Sequence, residues 1–352
     1  MKGGTTALFH YLNGSQPAIH YPNGSKSHVD LKPRYHPGII GAHATKEVNF
    51  FNKRPTKIAN ATLQQQYFAS FPGMDALVDQ PLAGRCSYPA QLGLSSSSRP
   101  ALVRMEATAM YLAHPFAAAN VQRLLPQVRL LALLREPVSR ALSSVNMLFQ
   151  NQHAHLEQAS PAYQQAWQAY VITELRRQLQ VLRGCYAKVA PGFATYQLID
   201  GCVFAPNQTL TGVLHVHVGL YAVHLERWLS HFAPEQLLIW SSHAFDEAPA
   251  QHMQQLVHWL GLDPALTRHN STTFTHMHKR SYPTGSLPAA LFEELVAFFQ
   301  PHNERVFELL QRHGYGSLVQ QLRRAWQLEL AGTISKLQEK PAAHGRQTQV
   351  QP

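Results

Sequence analysis

The feature that most constrains this chain is a short apolar run, Val128-Arg129-Leu130-Leu131-Ala132-Leu133-Leu134, closed at once by Arg135-Glu136-Pro137. A continuous apolar stretch, rather than an alternating one, is what a strand carries when both its faces are covered, as in a parallel sheet. Pro137 falls where the first turn of a helix accepts proline, because the missing N–H has no intrahelical partner there. Strand, sharp turn and helix in direct succession form a βα unit. The turn lies at the carboxyl edge of the strand, where open α/β sheets bind their ligands. A second strand is expected at Gln236–Trp240, behind an amphipathic helix over Leu220–Phe232. Residues 160–185 are helical by pattern, and Pro288–Arg312 carries Leu291, Leu295, Phe298, Phe299, Phe307 and Leu310 on or near one face. Strands alternating with helices imply an α/β fold around a mostly parallel sheet. Residues 13–38 and 86–100 read as loops, and the polar residues beyond 338 are expected to be disordered.

At 352 residues and 45% apolar, the chain is long enough to bury a full core as one α/β unit with insertions. No apolar run reaches the roughly 18 residues of a membrane helix, and no charged-then-apolar leader is visible. The net charge of +10 suits an anionic partner. Its basic residues are scattered and carry no helix-turn-helix, zinc-finger or RNA-binding signature, so nucleic acid is not expected as that partner. His-x-His pairs at His153/His155 and His215/His217 lack a third or fourth ligand at useful spacing, so no metal is expected. Cys185 and Cys202 are compatible either with a disulfide or with free buried thiols. The sequons at Asn13, Asn23, Asn60, Asn207 and Asn270 tilt towards a glycoprotein of the secretory lumen.

Two segments suit phosphate-like groups. In Lys2-Gly3-Gly4-Thr5-Thr6-Ala7-Leu8 the glycines let the backbone approach an anion, N–H groups at a helix start point towards it, and Lys2 adds positive charge. A Gly-Gly turn capped by Thr is also common without any ligand. In Arg135-Glu136-Pro137-Val138-Ser139-Arg140-Ala141-Leu142-Ser143 the arginine sits at the sheet edge and Ser143 lies two helical turns on. The structural alternative is an Arg in an ordinary salt bridge and a Ser bonded to its own helix.

Together the two segments, K-x-G-T-T-x-L and strand-R-D/E-P-x-x-R-x-x-S, resemble the 5′-phosphosulfate loop and 3′-phosphate motif of the sulfotransferases that use 3′-phosphoadenosine 5′-phosphosulfate (PAPS). The likeness is greatest to the Golgi carbohydrate branch, with its heparan sulfate and chondroitin sulfate enzymes. It continues in order along the chain. Lys46-Glu47-Val48-Asn49-Phe50-Phe51 is similar to the segment whose Glu is the family's proposed general base. Met105-Glu106-Ala107-Thr108-Ala109-Met110-Tyr111 resembles the acceptor-cleft segment. Gly219-Leu220-Tyr221 with His224 and Trp228 resembles the G-x-Y helix, and His278-Lys279-Arg280-Ser281-Tyr282-Pro283 the late basic loop. Phe298-Phe299-Gln300-Pro301-His302-Asn303 is similar to the family's closing helix motif.

The resemblance implies a three-layer α/β sandwich related to the nucleotide kinases. It implies sulfuryl transfer from PAPS, leaving PAP, to a hydroxyl of a glycan or proteoglycan, without a metal. Glu47 would be the general base, and Lys2 would stabilise the leaving group with Gly3, Gly4, Thr5 and Thr6. Arg135, Ser143, Arg280 and Tyr282 would hold the nucleotide, and Glu106, Thr108, Tyr111, His224 and Trp228 would line the acceptor site. Glu47 has a plainer reading as the partner of Lys46 or Lys53. The family carries an apolar strand before the first loop, so residues 1–315 read as a sulfotransferase domain lacking that strand, and 316–352 as a helix followed by a tail. A Golgi lumenal protein, held by a membrane anchor outside this sequence, is the expected setting. Ala107 and Ala109 replace the family's usual Lys and Pro, which leaves the acceptor open and a non-catalytic glycan- or nucleotide-binding relative as the alternative.

Overall fold

The computed structural model of the chain describes residues 39–41, 49–69, 103–157, 160–188, 196–204, 214–266 and 287–338. In chain order the elements are β1 (Ile39–Gly41), α1 (Pro55–Ile58), α2 (Ala61–Ala69), β2 (Val103–Met105), α3 (Ala117–Leu124), β3 (Leu130–Leu134) and α4 (Pro137–Gln152). They continue as α5 (Pro161–Ala187), α6 (Tyr196–Val203), α7 (Tyr221–Leu229), β4 (Leu237–Ser241), α8 (Ser242–Glu247), α9 (Pro249–Trp259), α10 (Ala289–Arg312) and α11 (Gly316–Gln338). No described helix is long and apolar enough to cross a membrane.

The strands pair in parallel. β1 runs beside β2 with Ile39 opposite Val103, and β3 beside β4 with Leu130 opposite Leu237 and Leu134 opposite Ser241. Successive side chains of a strand point to opposite faces, and both faces of the β3–β4 pair are covered. Ala132, Leu134, Leu237 and Ile239 pack with Tyr221 and Leu225 of α7, Val306 and Leu310 of α10, and Leu322 and Trp326 of α11. Leu133 and Trp240 face the other way, onto Phe245, Met253, Leu256 and Val257 of α8 and α9. Helices on both sides of a parallel pair cover the strand on both faces, as the unbroken apolar run implied, and make the three-layer α/β arrangement that the resemblance implied.

A second core lies beside this sandwich, where α4 presents Val138, Ala141, Leu142, Val145 and Phe149 to Trp167, Leu175 and Leu179 of α5 and to Leu295 and Phe299 of α10. Burying each such side chain is worth about 1.5–3 kcal/mol. A Cys185–Cys202 disulfide ties the end of α5 to α6, which resolves the choice that spacing left open. α11 packs onto the fold through Val319, Leu322, Ala325 and Trp326, all buried. The expected disorder beyond 338 falls outside the described residues.

Candidate functional site

The turn between β3 and α4 is built from local sequence. Leu134 is fully buried, and Glu136 caps the following helix, its carboxylate accepting the N–H groups of Val138 at 2.9 Å and Ser139 at 2.6 Å. Burial pushes the Glu136 carboxyl up from its ordinary range, and those two N–H groups oppose the push. The turn is braced by the G-x-Y stretch before α7. The Tyr221 hydroxyl accepts the Arg135 N–H at 3.4 Å. A Cβ on Gly219 would lie 2.9 Å from the Phe299 ring and 3.2 Å from Pro137, so only glycine admits this approach.

Arg135 points along the start of α4, where it meets Glu329 from α11. Its Nε donates to one carboxylate oxygen, and the Glu136 N–H donates to the other at 3.0 Å. One turn on, the Ser139 and Thr333 hydroxyls are 2.6 Å apart. A guanidinium and a helix-terminal N–H converging on one carboxylate make a seat for an anion, since both the charge and the helix dipole favour negative charge there. Ser143 lies one turn beyond Ser139 on α4 and is buried. Arg140, only 4% exposed, donates from Nη2 to the His215 carbonyl, and its Nε and Nη1 find no hydrogen-bond partner among the described residues. The salt-bridging alternative for Arg135 is thus realised, by a residue that no motif indicated.

The acceptor-like segment forms a separate knot. Glu106 accepts hydrogen bonds from the hydroxyls of Tyr67 at 3.1 Å, Tyr111 at 3.1 Å and Thr108 at 2.9 Å. The Tyr111 oxygen in turn accepts the N–H groups of Phe50 at 2.8 Å and Phe51 at 3.2 Å, and Thr108 accepts that of Asn49 at 3.2 Å. Burial and the Glu106 charge beside it push the Tyr111 phenol well above its ordinary pKa.

His224 and Trp228, expected at an acceptor, are placed otherwise. α7 is buried nearly all round, His224 is fully buried against the His217 carbonyl, and Trp228 donates its indole N–H to Leu112 while packing on Phe232. The structure places both rings under protein, His224 at 0% and Trp228 at 5% exposure. Beside them Arg227 holds Asp200 with contacts of 2.5–3.0 Å and donates to the carbonyls of Leu112 and His114, pinning the chain just after Tyr111. No described group of three or more His, Cys, Asp or Glu is arranged to hold a metal. Lys2, Gly3, Gly4, Thr5, Thr6, Glu47, Arg280 and Tyr282 lie outside the described residues.

Comparison with known proteins bears on this geometry. The family defined as "Sulfotransferase domain" matches residues 1–290. Mouse bifunctional heparan sulfate N-deacetylase/N-sulfotransferase 3 is 25% identical over 230 residues, 59% of this chain but 22% of that relative. The chain therefore spans about a fifth of the length of this relative. Carbohydrate sulfotransferase 15 of Nototodarus sloanii is 27% identical over 111 residues, 30% of this chain and 69% of that one. Among solved structures, a sulfotransferase from Alicyclobacillus acidocaldarius overlaps 88% of this chain and 92% of its own at 21% identity and a TM-score of 0.46.

Proposed function

The chain belongs to the sulfotransferase domain family, and from that premise we propose that it moves the sulfuryl group of PAPS to a hydroxyl of a carbohydrate acceptor. The observation that carries this reading is the anion seat at the start of α4, where Arg135 and the Glu136 N–H already converge on a carboxylate. A 3′-phosphate has the charge and acceptor oxygens that such a seat takes, and Ser143 follows on the same helix. PAPS supplies the activated sulfur: the acceptor oxygen forms the new S–O bond as the bond to the 5′-phosphate breaks, and PAP leaves. Lys2 and the N–H groups of Gly3 to Thr6 are assigned to the charge that develops on the leaving phosphate, a role typically worth ~3–4 kcal/mol per well-placed donor. Glu47 is assigned the acceptor proton, with Phe50 and Phe51, both buried, supplying the apolar surroundings that raise a carboxyl pKa. Arg280 and Tyr282 are assigned to the nucleotide. The acceptor class rests on the carbohydrate relatives.

A lumenal, Golgi-type setting fits the Cys185–Cys202 disulfide, since such bonds persist in oxidising compartments. One observation favours the alternative of a non-catalytic relative: Glu329 holds the position that a 3′-phosphate would take. Calorimetry with PAP against ATP tests the donor; tighter ATP binding would sink the proposal. Labelled-sulfate transfer to a panel of desulfated glycans, some with free amines and some without, tests acceptor and activity together. Transfer confined to the amines would replace the hydroxyl assignment, and PAP binding with no transfer at all would establish the non-catalytic reading.

A further inference from the structure

Large apolar side chains left singly on a surface need no explanation, but several grouped together mark a place where something binds. Among the described residues Phe116 and Phe204 are 38% and 43% exposed. They come from distant stretches of chain, Phe116 directly before α3 and Phe204 directly after α6. Between them stands His114, its ring centroid 5.5 Å from that of Phe116 and 6.4 Å from that of Phe204. Phe204 is backed in turn by the buried His217, edge-on at 5.5 Å. His114, Phe116 and Phe204 thus form one partly open aromatic surface. It is held from beneath by a buried ion pair. Arg227, 1% exposed, grips Asp200 of α6 with contacts of 2.5–3.0 Å, and its Nη1 donates to the carbonyls of Leu112 at 3.4 Å and His114 at 3.2 Å. Phe204 hangs from the same aspartate, its N–H donating to the Asp200 carbonyl at 2.9 Å. One guanidinium therefore fixes both edges of the surface.

The surface continues directly from the stretch that resembles the acceptor cleft, since the His114 N–H donates back to the Tyr111 carbonyl at 3.2 Å. A sugar ring has a face of C–H bonds, which packs on aromatic rings, and a rim of hydroxyls, which needs donors and acceptors. His114 supplies a donor for that rim. Its Nδ1 accepts the Phe116 N–H at 3.3 Å, so the proton of the neutral ring sits on Nε2. Burial, with the Arg227 charge second, holds the His114 pKa at about 4, so the ring stays neutral at ordinary pH. A neutral aromatic surface offers little to a phosphate and much to the apolar face of a sugar. We propose that His114, Phe116 and Phe204 form a platform for a sugar ring of the carbohydrate acceptor, with Arg227 and Asp200 as the positioning pair that holds its two edges together. The inference rests on the reading of the chain as a carbohydrate sulfotransferase. It puts these three rings in the place expected of His224 and Trp228, whose own rings lie under protein.

The experiment uses Phe116→Ala and Phe204→Ala in the full chain, two exposed positions where truncation leaves the core intact. Labelled-sulfate transfer is measured with desulfated heparan and chondroitin oligosaccharides as acceptors, and PAP affinity by calorimetry. Each variant should raise the acceptor KM roughly 5- to 30-fold, the loss typical of a truncated aromatic anchor. Its kcat and PAP affinity should stay within about twofold, because contacts to a sugar face away from the reacting atoms are shared by ground and transition states. Phe116→Tyr and Phe204→Tyr, which keep the ring, should recover the acceptor affinity. Unchanged acceptor affinity in the alanine variants overturns the platform, and so does a matching loss of PAP affinity, which would assign the rings to the nucleotide. A change of oligomeric state in sedimentation, with acceptor affinity intact, would assign the surface to a second copy of the chain instead. Direct titration of the oligosaccharides in the presence of PAP separates this inference from the reading beneath it. Glycan binding without transfer, weakened in the variants, ends the catalytic reading and keeps the platform. Transfer by the parent protein with the variants unaffected does the reverse, and a parent that binds no glycan overturns both.

Discussion

Replacing Glu329 with glutamine should tighten the binding of PAP. In the structure the Glu329 carboxylate takes both the Arg135 Nε and the Glu136 N–H, the donors that an incoming phosphate would use. The two side chains are 26% and 16% exposed, so the pair is neither a fully solvated surface contact nor a dry one. Hydrogen bonds to charged groups are worth about 1.5–3 kcal/mol when shielded, and exposed ion pairs about 0–1, which puts this contact at about 1–2 kcal/mol. A phosphate must displace the carboxylate before it can sit there, and glutamine removes the charged competitor. At about 1.4 kcal/mol per decade the gain in affinity is roughly 5- to 30-fold. The assay is calorimetric titration with PAP at two ionic strengths, and the gain should shrink in high salt as the competing charge is screened. Glu304→Gln serves as the control, because it breaks an exposed ion pair with Arg323 (49% and 41% exposed) that also involves α11 but lies between α10 and α11, away from the turn. Unchanged or weaker binding in Glu329→Gln, with Arg135→Ala abolishing it, would refute the reasoning: Glu329 would then orient Arg135 rather than compete for it.

Three further outcomes follow from the packing. His215 and His217 are almost wholly inaccessible, and burial before any neighbouring charge holds their pKa values at about 4 and about 3, so the native state keeps them neutral while the unfolded chain protonates them near 6.5. The unfolded state thus binds more protons between about pH 6.5 and 4, and stability should fall through that window on acidification, by on the order of 3 kcal/mol for His215 alone. Urea unfolding at pH 7.5, 6 and 5 reads this, and a flat profile would contradict it. Cys185 and Cys202 close a loop with a sequence separation of 17, so Cys202→Ser should lower stability by about 3 kcal/mol, seen as a drop in Tm that a reductant reproduces in the parent protein. Gly219→Ala places a methyl 2.9 Å from the Phe299 ring and should cost about 1–3 kcal/mol, with PAP affinity falling as the Arg135 turn shifts; an alanine variant of parental Tm would show that the Phe299 ring yields freely.

The β3–α4 unit was legible because every signal for it is local. An unbroken apolar run, an acidic cap and a proline at the first helical position lie within ten residues of one another, and the structure starts the helix at Pro137 and places the strand within two residues of its expected bounds. The helices at 161–187 and 289–312 were legible for the same reason, their periodicity being contained in one stretch of chain. The role of α7 was not. Its pattern gave a helix, but Tyr221, Val223, His224, Leu225, Arg227 and Trp228 are all buried, and periodicity does not tell a helix buried all round from one that offers its aromatic face to a ligand. The sequence pattern thus could not show that the rings of His224 and Trp228 lie under protein, against His217, Leu112 and Phe232. The disulfide was undecidable for a related reason, since spacing alone does not say that α5 and α6 bring the two cysteines together.

Glu329 marks the sharper limit. It lies 194 residues from Arg135, in a helix beyond the stretch that matches the family, and nothing in Gln327-Leu328-Glu329-Leu330 distinguishes it from a solvated helical glutamate. A motif names the residues that a ligand would touch; it is silent about what else the fold brings to the same atoms. Residue 315, the expected domain end, lies just before this helix. Cutting there would strip Leu322 and Trp326 from the face of β3 and β4, exposing the core under the sandwich. The same cut would remove the carboxylate from the donor seat, so stability and nucleotide affinity would move in opposite directions at that seat. Only a point change such as Glu329→Gln, which leaves the apolar face of α11 in place, separates the two effects. The helix beyond the family match is thus at once part of the core and the group against which any 3′-phosphate at Arg135 must compete.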